Sequence, residues 1–176
     1  YYHRVGYNLT RNSATQKSTV ATSLTGEENK SLTSSSARYT LGRTTLDNRY
    51  DPTEGGLFEL TEEYSGLGGD VNFLKTRLRS AYYKPLAFRK FVLGVRGELG
   101  YVDGLGDKIS QSTRFTLGGR RLRGFDSGGI GPRDSGSGSA VGGNKVYSGS
   151  VEIISNLGLN DDLGLRWTVF SDFGSV

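Results

Sequence analysis

Cysteine is absent from the 176 residues, which excludes a disulfide framework and any zinc site built on thiolates. The single histidine, His3, lies near one end, so a histidine-rich metal site or a Ser/His/Asp triad lacks parts within this stretch. No apolar run approaches the roughly 18 residues of a membrane-spanning helix. There is no signal-peptide pattern and no initiating methionine. Both ends, "YYHRVGYNL" and "VFSDFGSV", fall inside strand patterns, and the expectation is a piece of a longer chain cut at both ends. Hydrophobic residues make up only 34%, low for a globular chain, and prolines number 3. Yet 10 Tyr and 8 Phe are more aromatic load than a disordered chain carries.

What is present points to strands joined by turns. Glycine, at 27 residues, is about twice its usual share. The dominant signal is period-two alternation. In "FVLGVRGELGYV", Phe91, Leu93, Val95, Leu99 and Tyr101 share one face, with Arg96 and Glu98 on the other. In "VYSGSVEII", Tyr147, Val151 and Ile153 oppose Ser148, Ser150 and Glu152. In "LGLRWTVFSDF", Leu165, Trp167 and Val169 oppose Arg166, Thr168, Phe170 and Asp172. "LFELTEEY" sets Phe58 and Leu60 against Glu59, Thr61 and Glu63, while Lys75, Arg77 and Arg79 share one side of a mixed segment. Seven strands are predicted, at about 1–11, 36–48, 56–66, 71–84, 90–102, 145–156 and 163–174, with no helix.

Two all-β architectures produce such strands. One is a soluble antiparallel sandwich with a wet outer face, acting as a binding module. The other is a transmembrane barrel with an apolar band toward lipid and a polar lumen. Connection lengths favour the barrel. Every second connection is short (49–55, 85–89, 157–162), and both long ones (12–35 and 103–144) fall in the other set, as in outer-membrane barrels. Reading "STRFTLGG" as an eighth strand would break that alternation, so Phe115 and Leu117 are assigned to the loop. The expectation is an incomplete antiparallel transmembrane β-barrel, with residues 1–176 belonging to one barrel domain.

The long loop contains "LGGRRLRGFDSGGIGPRDSGSGSAVGGNK" (117–145), four arginines and one phenylalanine among small residues. Taken alone it could be a disordered outer loop meeting anionic lipopolysaccharide. A nucleic-acid partner is not expected, because "RRLR" is one short cluster in a chain of net charge +4. Phosphate cradles are excluded by the absence of GxxxxGK[ST]. A calcium loop starting at Asp47 fails because its twelfth position is Phe58. The neighbours Glu62 and Glu63 point to opposite faces of a strand, and Asp161-Asp162 sits in a turn. No catalytic site, metal site or cofactor is expected.

The run Leu122-Arg123-Gly124-Phe125, with "IGPRD" (130–134) and "GGN" (142–144) behind it, resembles the BamA family of outer-membrane insertases. That family carries an [V/L/I]RGF motif in its long sixth extracellular loop. "TLDNRYDPTEGG" (45–56), "GYVDGLGD" (100–107), "FTLGGRRLRGF" (115–125), "SVEIISNLG" (150–158) and "VFSDFGSV" (169–176) are similar to family segments in the same order. The likeness covers most of 36–176; residues 1–35 match poorly. It implies a stretch of about seven strands, roughly the seventh to thirteenth of a sixteen-stranded barrel. The periplasmic POTRA domains, the early and final strands and the seam between them lie outside it.

The resemblance also implies a role and a place. The role is non-enzymatic: folding and inserting unfolded β-barrel clients into the bacterial outer membrane, with accessory lipoproteins, lipid and lipopolysaccharide as partners. A TamA-like factor, a two-partner secretion transporter and a passive pore are the alternatives. Loop 103–144 is expected outside the cell and folded into the lumen. There Arg123 is expected to meet Glu152 and Asp172 on the inner wall, with Phe170 packed against the loop tip. Phe125 is expected as a hydrophobic plug, and Gly118, Gly119, Ile130, Gly131 and Pro132 as loop support. Leu122 stands where Val is commonest in the family. The pair Arg120-Arg121 is a candidate partner of Glu98, and "SGSGSA" is expected to be a flexible return limb.

Overall fold

The computed structural model describes residues 1–13, 31–86, 90–106, 108–156 and 166–176. Most of the 12–35 connection, part of the 85–89 turn, Asp107 and all of 157–165 lie outside the described residues. Seven strands form one antiparallel sheet in chain order. They are β1 (Tyr2–Ser13), β2 (Ser31–Thr44), β3 (Gly55–Gly69), β4 (Phe73–Pro85), β5 (Phe91–Gly104), β6 (Lys145–Asn156) and β7 (Arg166–Ser175). The only described helix is a 3-10 turn, Gly119–Arg121, inside the β5–β6 loop, and "STRFTLGG" forms no strand. Strands of 10 to 15 residues exceed the usual globular length and suffice to cross a bilayer when tilted.

The register explains why alternation was legible. Val5, Tyr39 and Glu62 line up across β1, β2 and β3, and Leu41, Leu60, Leu78, Leu99 and Tyr147 form a row across β2 to β6. Leu93, Ile153 and Val169 form another on the same face. The opposite face carries Arg4, Thr40, Thr61, Arg77 and Gly100 in one row, and Arg38, Glu63 and Lys75 in the next. Glu62 and Glu63 do point to opposite faces: Thr76 donates to Glu62 at 2.8 Å, and Ser36 and Arg38 donate to Glu63 at 2.9 Å each.

Strand ends moved where turn chemistry decides. β2 stops at Thr44 because the Asp47 carboxylate accepts hydrogen bonds from Thr53 N (2.9 Å), Thr53 Oγ1 (2.6 Å) and Glu54 N (3.1 Å). That turn cap, with the Thr53 hydroxyl its largest contribution, holds Asp47 well below the usual carboxylate range.

The core does not lie between two sheets. Val71, Phe73, Val102 and Val146 form an apolar patch at one end of the otherwise polar face, and the β5–β6 loop lays Ile109, Phe115, Leu117 and Leu122 on it. Among the described residues nothing lies over the other face: Val169 is 62% exposed, Leu99 56%, Trp167 38%. An uncovered apolar band on long strands is what a lipid-facing surface requires. Trp167, the only tryptophan in these 176 residues, reports on it once any tryptophan elsewhere in the protein is replaced. In the reconstituted barrel its fluorescence should be strongly quenched by lipids brominated on the acyl chains and little affected by aqueous iodide. Iodide quenching alone would place that face in water.

Candidate functional site: the loop clasp on the polar wall

After β5 the chain turns through Ser110–Arg114, where Thr113 N donates to Ser110 O at 3.0 Å, and then runs extended. Phe115 pairs with Gly143 and Leu117 with Ile130 as isolated antiparallel bridges. At Gly118 the backbone folds back at φ 131, so close that a Cβ there would lie 2.0 Å from Asp126 O. Only glycine fits such a crossing. Gly119 N donates to Phe125 O at 2.8 Å, closing residues 119–125 into a compact loop. Leu122, extended at the end of the 3-10 turn, points into the core at 4% exposure and leaves the next side chain, Arg123, to reach the wall.

Arg123 meets two adjacent strands at once. Its Nε and Nη2 donate to the two oxygens of Asp172 on β7, both at 2.7 Å, and its backbone N donates to Asp172 Oδ2 at 3.0 Å. Nη1 donates to Glu152 Oε2 on β6 at 3.2 Å, and Nη2 to Ser150 Oγ at 2.8 Å. The guanidinium lies 3.5 Å from the centroid of the Phe170 ring. This uses every property that separates arginine from lysine: a planar fork, bidentate pairing and a stacking face. The Glu152 and Asp172 side chains are only 7% and 5% exposed, so both need a cation. Hydrogen bonding to Asp172 chiefly, then its charge, raises the Arg123 pKa further and keeps the clasp charged at every relevant pH. Glu152 also accepts from Arg96 on β5 at 3.0 Å, which extends the network to a third strand.

The rest of the motif divides. Gly124 takes φ 89 and reverses the chain, and Phe125 is 51% exposed on this part of the wall. The loop aromatic buried against these strands is Phe115, at 1% exposure. Of the Arg120-Arg121 pair, Arg121 reaches Glu98 Oε1 at 3.2 Å. Ile130 packs on the core; a Cβ at Gly131 would meet Val176 at 2.3 Å, and Pro132 O accepts from Val141 N at 2.9 Å. The serine-rich return limb is no open tether. Asp134, 2% exposed, accepts from Ser137 N and Oγ at 2.7 Å each, and its own N donates to Ser139 O.

Sequence reasoning missed the apolar patch. Phe73, Val102 and Val146 have the same strand parity as Lys75, Gly100 and Ser148, so they interrupt a polar face. Apolar residues at polar parity, all near one end of their strands, were the available signal that something docks there.

The family model described as the Omp85 superfamily domain matches residues 1–176. The chain is 31% identical over 143 residues to the outer membrane protein assembly factor BamA of Neorickettsia risticii (strain Illinois), covering 81% of this chain and 19% of that protein. It is 32% identical over 173 residues to the protein of the same name from Nitratidesulfovibrio vulgaris, covering 96% of this chain and 22% of that protein. It thus spans about a fifth of these relatives' length. Among solved structures, BamA from Haemophilus ducreyi lacking POTRA domains 1–3 matches with a TM-score of 0.83 at 21% identity, over 98% of this chain and 37% of that one. That likeness shows the fold: the seven strands are an unclosed part of an outer-membrane β-barrel. With all 176 of its residues matched by that family model, the chain belongs to the Omp85 superfamily.

Proposed function

We propose that this chain is the part of an outer-membrane assembly barrel that holds the long loop inside, and that the whole protein folds and inserts β-barrel clients. The observation that carries the reading is the Arg123 clasp, which ties the loop to β6 and β7 through two nearly buried carboxylates. The names of the relatives point to the same activity. The motif Leu122-Arg123-Gly124-Phe125 acts as a loop lock, with Glu152, Asp172 and Phe170 as its receptor on the lumen side. Its work is positional rather than catalytic. Loop 103–144 lies on the outer side of the membrane and folds back into the lumen. Unfolded barrel proteins are the clients, and accessory lipoproteins and lipid are the neighbours of the whole protein. A passive pore is disfavoured because the loop is packed on one end of the polar face and clasped to β6 and β7, where a channel would leave the wall open.

The test is insertion of a client barrel by the full-length protein carrying Arg123→Ala, in vesicles. Client insertion should fall by at least about tenfold, the equivalent of 1.4 kcal/mol, while the variant barrel itself remains folded. Undiminished insertion by a folded Arg123→Ala barrel would overturn the reading.

A further inference from the structure

We infer that the loop is held by a second, independent anchor, a cradle for Phe115 on β4, β5 and β6, and that this cradle positions the first limb of the loop without help from the Arg123 clasp. The two attachments lie on different parts of the wall: the clasp on β6 and β7, the cradle centred on β4 and β5. Phe115 is 1% exposed. Its ring fills the space over Gly100 of β5, where a Cβ would sit 2.6 Å from the ring. The same Cβ would lie 2.7 Å from Val146 of β6, so the aromatic and the wall close around a position that only hydrogen can occupy.

Two wall cations complete the seat. Lys75 Nζ lies 4.5 Å and Arg77 Cζ 5.3 Å from the ring centroid, on the face whose electron density favours them. Lys75 Nζ also donates to the Thr113 carbonyl at 2.5 Å, pinning the backbone two residues before the ring. Phe115 N and O pair with Gly143 O and N, both at 2.9 Å, so the cradle fixes the outgoing and returning limbs together. None of these contacts involves Arg123, Glu152 or Asp172. The chemistry also differs. The clasp is charged and its arginine side chain keeps 27% exposure, whereas the cradle is mostly apolar burial, a term that does not weaken with salt. The inference needs the barrel fold and not the assembly role, so docking and client insertion can fail separately.

The test exploits a chain without cysteine. Ser110, 4% exposed in the first limb, is replaced by cysteine in the full-length barrel, with any cysteine elsewhere in the protein removed. The rate of maleimide labelling then reads whether that limb is docked, and heat-resistant gel migration checks that the barrel is folded. Phe115→Ala should raise labelling about tenfold or more through local opening. Gly100→Ala should do the same from the wall side, and serves where Phe115→Ala yields no folded barrel. Phe115→Leu, which keeps an apolar group over Gly100, should restore most of the protection. Arg123→Ala should leave labelling nearly unchanged. Two results would overturn the inference: labelling in Arg123→Ala as fast as in Phe115→Ala, or a protected thiol in folded Phe115→Ala and Gly100→Ala barrels.

Discussion

Arg123→Ala is expected to cost about 3 kcal/mol of barrel stability, measured by urea unfolding in detergent micelles. The figure sits at the low end for a broken buried pair, for two reasons. Arg123 keeps 27% exposure, so part of its charge is already solvated. Glu152 also retains Arg96 at 3.0 Å after the loss. The burden falls on Asp172, whose 5%-exposed carboxylate holds no other ion pair among the described residues. Asp172→Asn in the Arg123→Ala background should therefore recover a large part of the loss, because an amide needs no counter-ion. Arg123→Lys should rescue poorly: an ammonium cannot bridge both Asp172 oxygens, Glu152 and Ser150 while stacking on Phe170. Full rescue by lysine would mean that charge alone matters and that the fork and the stack do not.

How much of this was legible in the sequence follows from which physics has a period. Strand existence and facing were legible because a pleated strand imposes period two, and one face here is apolar from Val5 to Val169. The clasp partners were legible in two steps: the family resemblance implied Arg123 with Glu152 and Asp172, and parity put both acids on the polar face that such docking needs. What has no period was harder. Phe125 looked inward because it is an isolated aromatic. Its direction is set by the left-handed backbone at Gly124 and the bond from Gly119 N to Phe125 O, and neither can be read from hydrophobicity. "SGSGSA" looked mobile by composition, yet one buried acid, Asp134, collects the amide and hydroxyl of Ser137. Phe115 and Leu117 were placed in the loop, but their depth depends on Phe73, Val102 and Val146, far away in sequence and visible only once the register is known.

Glu98→Gln tests the wall acid that pairs with the cradle cation Arg77 and lies outside the Arg123 clasp. Glu98 is the ion-pair partner of three arginines: Arg121 of the loop at 3.2 Å, Arg77 at 3.4 Å and Arg79 at 3.8 Å. Its side chain is 11% exposed, and theirs are 37%, 30% and 48% exposed, respectively. Removing its charge leaves three guanidiniums facing one another, with Arg77 Nε already buried without a hydrogen-bond partner among the described residues. The expected loss is about 2 kcal/mol, less than for a sealed pair because water still reaches the arginines. The sign of a second substitution is the sharper test. In the wild-type barrel Arg121→Gln destabilises, since it gives up Glu98 and the Thr116 carbonyl. In the Glu98→Gln barrel it should be neutral or stabilising, because it then removes a repelled charge. Raised salt should narrow the gap between Glu98→Gln and wild type by screening the same repulsion. If Arg121→Gln cost the same in both backgrounds, Glu98 would not be the node that tolerates a loop arginine beside two wall arginines.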